Sequence, residues 1–192
     1  MPDCAKLDPM PPDPHATDAA LLARVGDGEE RAFEQVWAEH HGRVFRLAYG
    51  VLLDRDDARE VAQEVFVALL EEAPRWRPEA RLSTWLHRVT VTRSLAWRRG
   101  VLRFRRPWSR NRTRGPRPDE ALEARRTDAR LRDALARLSP RERAVLTLHW
   151  EAHLAPTEIA ELLDIQPTAA RVALHRARGH VRRALDTPGG AT

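Results

Sequence analysis

Cysteine is almost absent from this 192-residue chain. Cys4 is the single one, so no disulfide framework and no cysteine-based metal site can close within the chain. Lysine is equally scarce, because 33 basic residues include only Lys6. Arginine suits phosphate forks and base edges better than lysine does. A genome rich in G and C produces the same bias, so the bias carries little weight alone. Long apolar runs are missing too: the longest, Val65 to Leu70, is far too short to span a bilayer. The first residues carry acids and no apolar segment, which excludes a secretory signal and leaves the cytoplasm as the expected location. No glycine-rich phosphate loop, nucleophile elbow or metal-ligand pair is present. His40 and His41 are adjacent, point away from each other, and read as surface histidines instead of ligands. The chain is therefore read as a non-enzyme, with no catalytic residue, no metal, no cofactor, no membrane insertion and no small-molecule substrate.

What is present is unevenly distributed charge. The net charge of +5 divides into −5 over residues 1–97, +9 over 98–118 and +1 over 119–192. The middle stretch holds nine arginines and no acid. A nearly balanced protein with a concentrated basic centre suits a polyanion met at chosen places. The expected architecture is all-α, with two small helical domains joined by a flexible basic linker. Its segments are a disordered leader over 1–17, a helical bundle over 18–99, the linker over 100–118, a helix-turn-helix domain over 119–185 and a frayed tail over 186–192.

The first bundle is organised around Asp54 to Glu72. Asp54 is the expected N-cap, with Asp56 and Asp57 in the positive first turn. Ala58, Val61, Ala62, Val65, Phe66, Leu69 and Leu70 recur at helical spacing and predict one broad buried face. Asp57, Glu60, Gln63, Glu64 and Glu71 form the opposite ridge, which alone reads as a solvated helix face. Before it, Asp18 is expected to cap a short helix. A longer helix follows from Glu29, and Gly42 is placed to bend or split it. After it, Ser83 is the expected cap of a helix bearing Trp85, Val89, Thr92 and Ala96 on one side. Arg88, Arg93, Arg98 and Arg99 supply its cationic heads. Phe104 and Trp108 in the linker can stack on unpaired bases or pin the linker to protein, and the sequence does not separate the two.

The second domain opens with Leu122, Leu131, Leu135 and Leu138 at buried spacing. Ser139-Pro140-Arg141-Glu142 is a capping box with proline at the first helical position. A short helix then runs from Pro156 to Leu163, Asp164 stands at a left-handed turn position, and Pro167 starts a long last helix. Short helix, tight turn and long helix make a helix-turn-helix pattern. On the last helix Ala170, Leu174, Ala177, Val181 and Ala184 share a packing face, while Arg171, His175, Arg178 and Arg182 form a stripe elsewhere. Thr168, Arg171, Val172 and His175 stand nearest base edges. Arg176, Arg178, Arg182 and Arg183 are matched to phosphates, which position without specifying.

Taken together, these residues resemble a bacterial RNA polymerase sigma factor of the extracytoplasmic-function group, over about residues 18–99 and 127–185. DDAREVAQEVFVALLE resembles the family's core-polymerase-binding helix, and STWLHRVTVTRSLAWRR its promoter-melting helix. LSPRERAVLTLHW with PTEIAELLDIQPTAARVALHRARGHVRRAL resembles the domain that reads the upstream promoter element. The resemblance implies that Asp57, Glu60, Gln63 and Glu64 dock on a coiled coil of the polymerase clamp. It implies that Arg88, Thr92, Arg98 and Arg99 engage the downstream promoter element, while the helix of Arg171 holds upstream duplex DNA. Core polymerase and promoter DNA are the implied partners, with an anti-sigma factor as a further one. Thr92 and Ala96 replace the family's usual asparagine and aspartate, which implies a lost or altered downstream contact. Ala169, Ala170 and Ala173 replace larger residues, Asp164 a glycine, and Ala155 a capping serine. Two other readings stay open on the sequence: a stand-alone helix-turn-helix regulator, and a sigma-like decoy or adaptor that no longer reads promoters.

Overall fold

The computed structural model describes residues 14–77, 81–104 and 121–186, with side chains described over 17–77, 81–100 and 129–186. The leader before Pro14, most of the basic connector with Trp108, the tail after Asp186, and the side chains of Phe104 and Leu122 lie outside the described residues. Among the described residues the regular structure is helical. In chain order it comprises α1 (Pro14–Gly26), α2 (Glu30–Leu52), α3 (Arg55–Glu72), a 3₁₀ turn (Ala73–Arg75), α4 (Leu82–Phe104), α5 (Ala121–Ala136), α6 (Pro140–Glu151), α7 (Pro156–Leu163) and α8 (Pro167–Asp186).

Local chemistry fixes several helix ends. The Asp54 carboxylate accepts from the backbone N–H groups of Asp56 and Asp57 at 2.9 and 3.0 Å, so α3 starts as expected. At α6 the Ser139 hydroxyl accepts from Glu142 N at 3.2 Å, and the Glu142 carboxylate accepts from Ser139 N at 2.9 Å. This is the expected capping box. Asp164 is left-handed, with φ 51° and ψ 56°. The Ile165 N–H reaches back to the Ala160 carbonyl at 3.0 Å and closes α7.

The first core joins α1, α2, α3 and α4 through Leu22, Val36, Val44, Val65, Phe66 and Leu86. Trp37 packs on Phe66 with ring centroids 4.5 Å apart and stacks on His41 at 4.3 Å. Several expectations fail here. Leu70 is 45% exposed, because α1, α2 and α4 cover α3 only as far round as Leu69. His40 is buried, 7% exposed, because it lies on the stripe of α2 that packs inward with Val36 and Val44, and His41 is half-covered by Trp37. Gly42 neither bends nor splits α2, which runs unbroken from Glu30 to Leu52. Asp18 does not begin a helix, since α1 starts at Pro14. Its carboxylate instead accepts from Leu82 N at 2.8 Å. Asp18 thereby takes the capping role expected of Ser83, which falls inside α4. Helix α4 also runs on to Phe104, into the stretch expected to be a connector.

The second core, built on α5–α8, includes residues of the first bundle: Leu47 and Val51 of α2 and Val91 of α4. Helix α6 is wedged between α2 and the helices behind it. All six residues from Arg143 to Leu148 are therefore buried, and a one-sided stripe gives way to an all-round one. Gly50 is what lets α2 and α6 approach, because a Cβ there would lie 2.5 Å from Oγ1 and Cγ2 of Thr147. Arg143, 1% exposed, donates from Nε to the Val51 carbonyl at 2.9 Å. Its Nη1 donates to the carbonyls of Leu135 and Leu138 at 3.1 and 3.3 Å. One buried guanidinium thus closes the ends of two helices in different halves of the chain. Burial, with the Arg98 charge adding, pushes it down to about 10. Arg46 and Glu151 pair at 2.6 Å on the edge of this contact.

Candidate nucleic-acid interface

Helix α8 shows the clearest division of faces. Ala170, Leu174, Ala177 and Val181 are buried against the helices behind. Thr168, Arg171, Val172, His175, Arg176, Arg178, Arg182 and Arg183 are all exposed. Val172, at 48%, is among the most exposed large apolar side chains. From Arg171 to Arg183 this surface has five arginines and no acid. The left-handed Asp164 turn sets α8 against α7, so this face projects from the domain. Two of the cations have neighbours on α6. Arg176 and His180 lie close to Glu142, whose carboxyl is held below the usual range, first by the Ser139 backbone N–H and further by the Ser139 hydroxyl and these two neighbours. Arg178 donates from Nη2 to the His149 Nε2.

Helix α4 presents a second cationic face. Arg88, Thr92 and Arg99 are exposed along one side, with Ala96 between them. The inner face is Leu86, His87, Thr90, Val91 and Ser94, so Thr92 and Ala96 line solvent. Arg98 stands apart from the other candidates, half-buried, with Nη1 3.5 Å from the Leu52 carbonyl at the end of α2. Arg93 pairs with Glu64 at 3.3 Å. Trp85 meets Trp76 edge-on at 5.8 Å, bracing the start of α4 against the chain that precedes it.

The ridge of α3 splits in two. Asp57 is half-buried beside α4, and burial raises its carboxyl above the usual range, with Asp54 adding. Glu64 also turns to α4 through Arg93. Glu60 and Gln63 face outward, and Val67 (55% exposed) and Leu70 continue that face. These two apolar residues complete a mixed acidic and apolar surface that sequence reasoning missed. The signal was present, since Val67 follows Glu60 by seven residues, two helical turns. Among the described residues no group of three or more His, Cys, Asp or Glu is placed to hold a metal. No helix among them is long and apolar enough to cross a membrane.

Comparison with known proteins places this arrangement. The sigma-70 region 2 model matches residues 36–103, from α2 to the end of α4. The sigma-70 region 4 model matches residues 128–181, from α5 into α8. The ECF RNA polymerase sigma factor SigE of Mycolicibacterium smegmatis is 28% identical over 181 residues, covering 91% of this chain and 70% of that protein. RNA polymerase sigma factor CarQ of Myxococcus xanthus is 30% identical over 171 residues, covering 85% of this chain and 95% of CarQ. The chain belongs to the extracytoplasmic-function group of RNA polymerase sigma factors. This sigma factor is also similar in fold to CnrH, solved in complex with the cytosolic domain of CnrY. The TM-score is 0.65 at 26% identity, covering 90% of this chain and 99% of that one. As a sigma factor it directs promoter-specific transcription initiation. The paired region matches favour that function over a stand-alone regulator or a decoy.

Proposed function

We propose that residues 18–99 dock on core RNA polymerase and open the downstream promoter element, while residues 119–185 hold the upstream duplex. The observation that carries this is the face of α8: every candidate DNA-binding side chain is exposed, with the packing residues behind it. An acid-free row of arginines at helical spacing suits the phosphate pitch at a groove edge, and Thr168, Arg171, Val172 and His175 lead into the groove. On α4, Arg88, Thr92 and Arg99 are assigned to the downstream element, with Arg98 supporting the α2 end beside them. On α3, Glu60 and Gln63 dock on the clamp coiled coil, and Val67 and Leu70 add apolar area to that contact. Asp57 and Glu64 reach it from the α4 side.

The chain carries out no catalytic step of its own in this reading; phosphoryl chemistry belongs to polymerase, and the place of action is the cytoplasm. An anti-sigma factor is a further proposed partner, since CnrH is held in a complex with the cytosolic domain of CnrY. Run-off transcription with core polymerase on a promoter library tests the reading. Transcripts that require the added chain support it, and silence on every template overturns it.

A further inference from the structure

We propose that His149 is a positioning residue for Arg178, holding its guanidinium where a DNA phosphate is met. The proposal rests on the reading of α8 as the duplex-facing helix. His149 lies in the last turn of α6, half-buried, and its Nδ1 is 2.9 Å from the Leu154 carbonyl. A carbonyl only accepts, so Nδ1 carries the hydrogen, and in the neutral ring Nε2 bears the lone pair. That lone pair receives the N–H of Arg178 Nη2. Arginine has only donors to offer, so the direction of this bond is fixed. The turn after α6, where His153 is left-handed at φ 55°, is thereby joined through one imidazole to the cationic face of α8.

A histidine does here what a carboxylate cannot. Arg46, Arg59 and Arg93 are each held by an acid, which orients the guanidinium and also cancels its charge. No ion pair with a carboxylate is formed by Arg178 among the described residues. A neutral ring orients it and leaves its full charge for a phosphate. Arginine loses rotamer freedom when it is captured by a ligand, and holding it beforehand removes part of that loss.

The test uses the full chain and a fluorescent random-sequence duplex, because phosphate contacts do not depend on sequence. Arg178→Ala is expected to weaken binding about 5-fold and to lower the salt slope by about one. His149→Ala is expected to weaken binding about 2- to 4-fold with the slope unchanged, and to have no effect when Arg178 is already alanine. His149→Gln, whose amide oxygen reaches the place of Nε2, restores most of the affinity. In the free chain, ring nitrogen shifts should report hydrogen on Nδ1. Equal losses from His149→Ala in both backgrounds would show a merely structural role and overturn the proposal. Absence of any loss, failure of glutamine to rescue, or the opposite tautomer overturns it as well. Unchanged affinity and slope in Arg178→Ala removes that residue from the phosphate contacts and the proposal with it. A chain that starts no transcript in the run-off assay, by contrast, defeats the wider reading of α8.

Discussion

Acid should loosen the first bundle through His87. This ring is 5% exposed on the inner face of α4, and its Nε2 has no hydrogen-bond partner. Burial first, then the charge of Arg43 and the nearby His40, push it from 6.5 down to about 4. The folded value lies below the unfolded one, so the unfolded chain takes up the proton first as the pH falls. The stability is complete above pH 6.5 and is lost progressively between 6.5 and 4. At 1.36 kcal/mol per unit, the loss is about 2 kcal/mol at pH 5 and about 3 kcal/mol at pH 4. His40, lowered chiefly by burial, acts in the same direction. Asp57, raised chiefly by burial, acts oppositely, because the native state then binds its proton more readily. Urea unfolding followed by tryptophan fluorescence at pH 7.5, 6 and 5 measures the sum. His87→Leu keeps the apolar volume and removes the titration, so its profile should be flatter than that of the wild type by about 2 kcal/mol at pH 5. Parallel profiles for the two proteins would refute the burial of an uncharged ring at this position.

Three further outcomes are expected. Glu60→Ala combined with Gln63→Ala should weaken binding to core polymerase in a titration while leaving the melting temperature within about 2 °C, because both side chains are exposed. Arg182→Ala should lower the salt slope of duplex binding by about one with sequence preference retained; a changed preference at constant slope would place Arg182 at a base edge instead. Arg143→Ala strips the Val51, Leu135 and Leu138 carbonyls of their donor, and should cost about 2–4 kcal/mol in urea unfolding. It should also raise amide exchange where α2 meets α6, and unchanged exchange there would count against the clasp.

Rules that act within a few residues were legible in the sequence. Asp54, the Ser139–Glu142 box, the left-handed Asp164 and the apolar rows of α3, as far as Leu69, and of α8 each follow from nearest-turn chemistry. What escaped depends on partners far along the chain. Asp18 caps a helix 64 residues away, which no local pattern announces. Arg143 finds the Val51 carbonyl only once α2 closes over α6, and the same closure buries Thr147 and requires glycine at position 50. His40, adjacent to His41 and without a partner one turn away, reads as a surface histidine, yet it falls on the buried stripe of α2. On the candidate interfaces, the row on α8 was readable because its period is strict. The turning of Asp57 and Glu64 toward α4 was not, because it depends on where Arg93 and Arg98 arrive.

Site-specific photo-crosslinking in the assembled initiation complex tests the division of labour most directly. With a photoreactive amino acid in place of Gln63 or of Val172, a polymerase subunit should be captured from position 63 and upstream promoter DNA from position 172. Capture of DNA from position 63, or of polymerase alone from position 172, would contradict it.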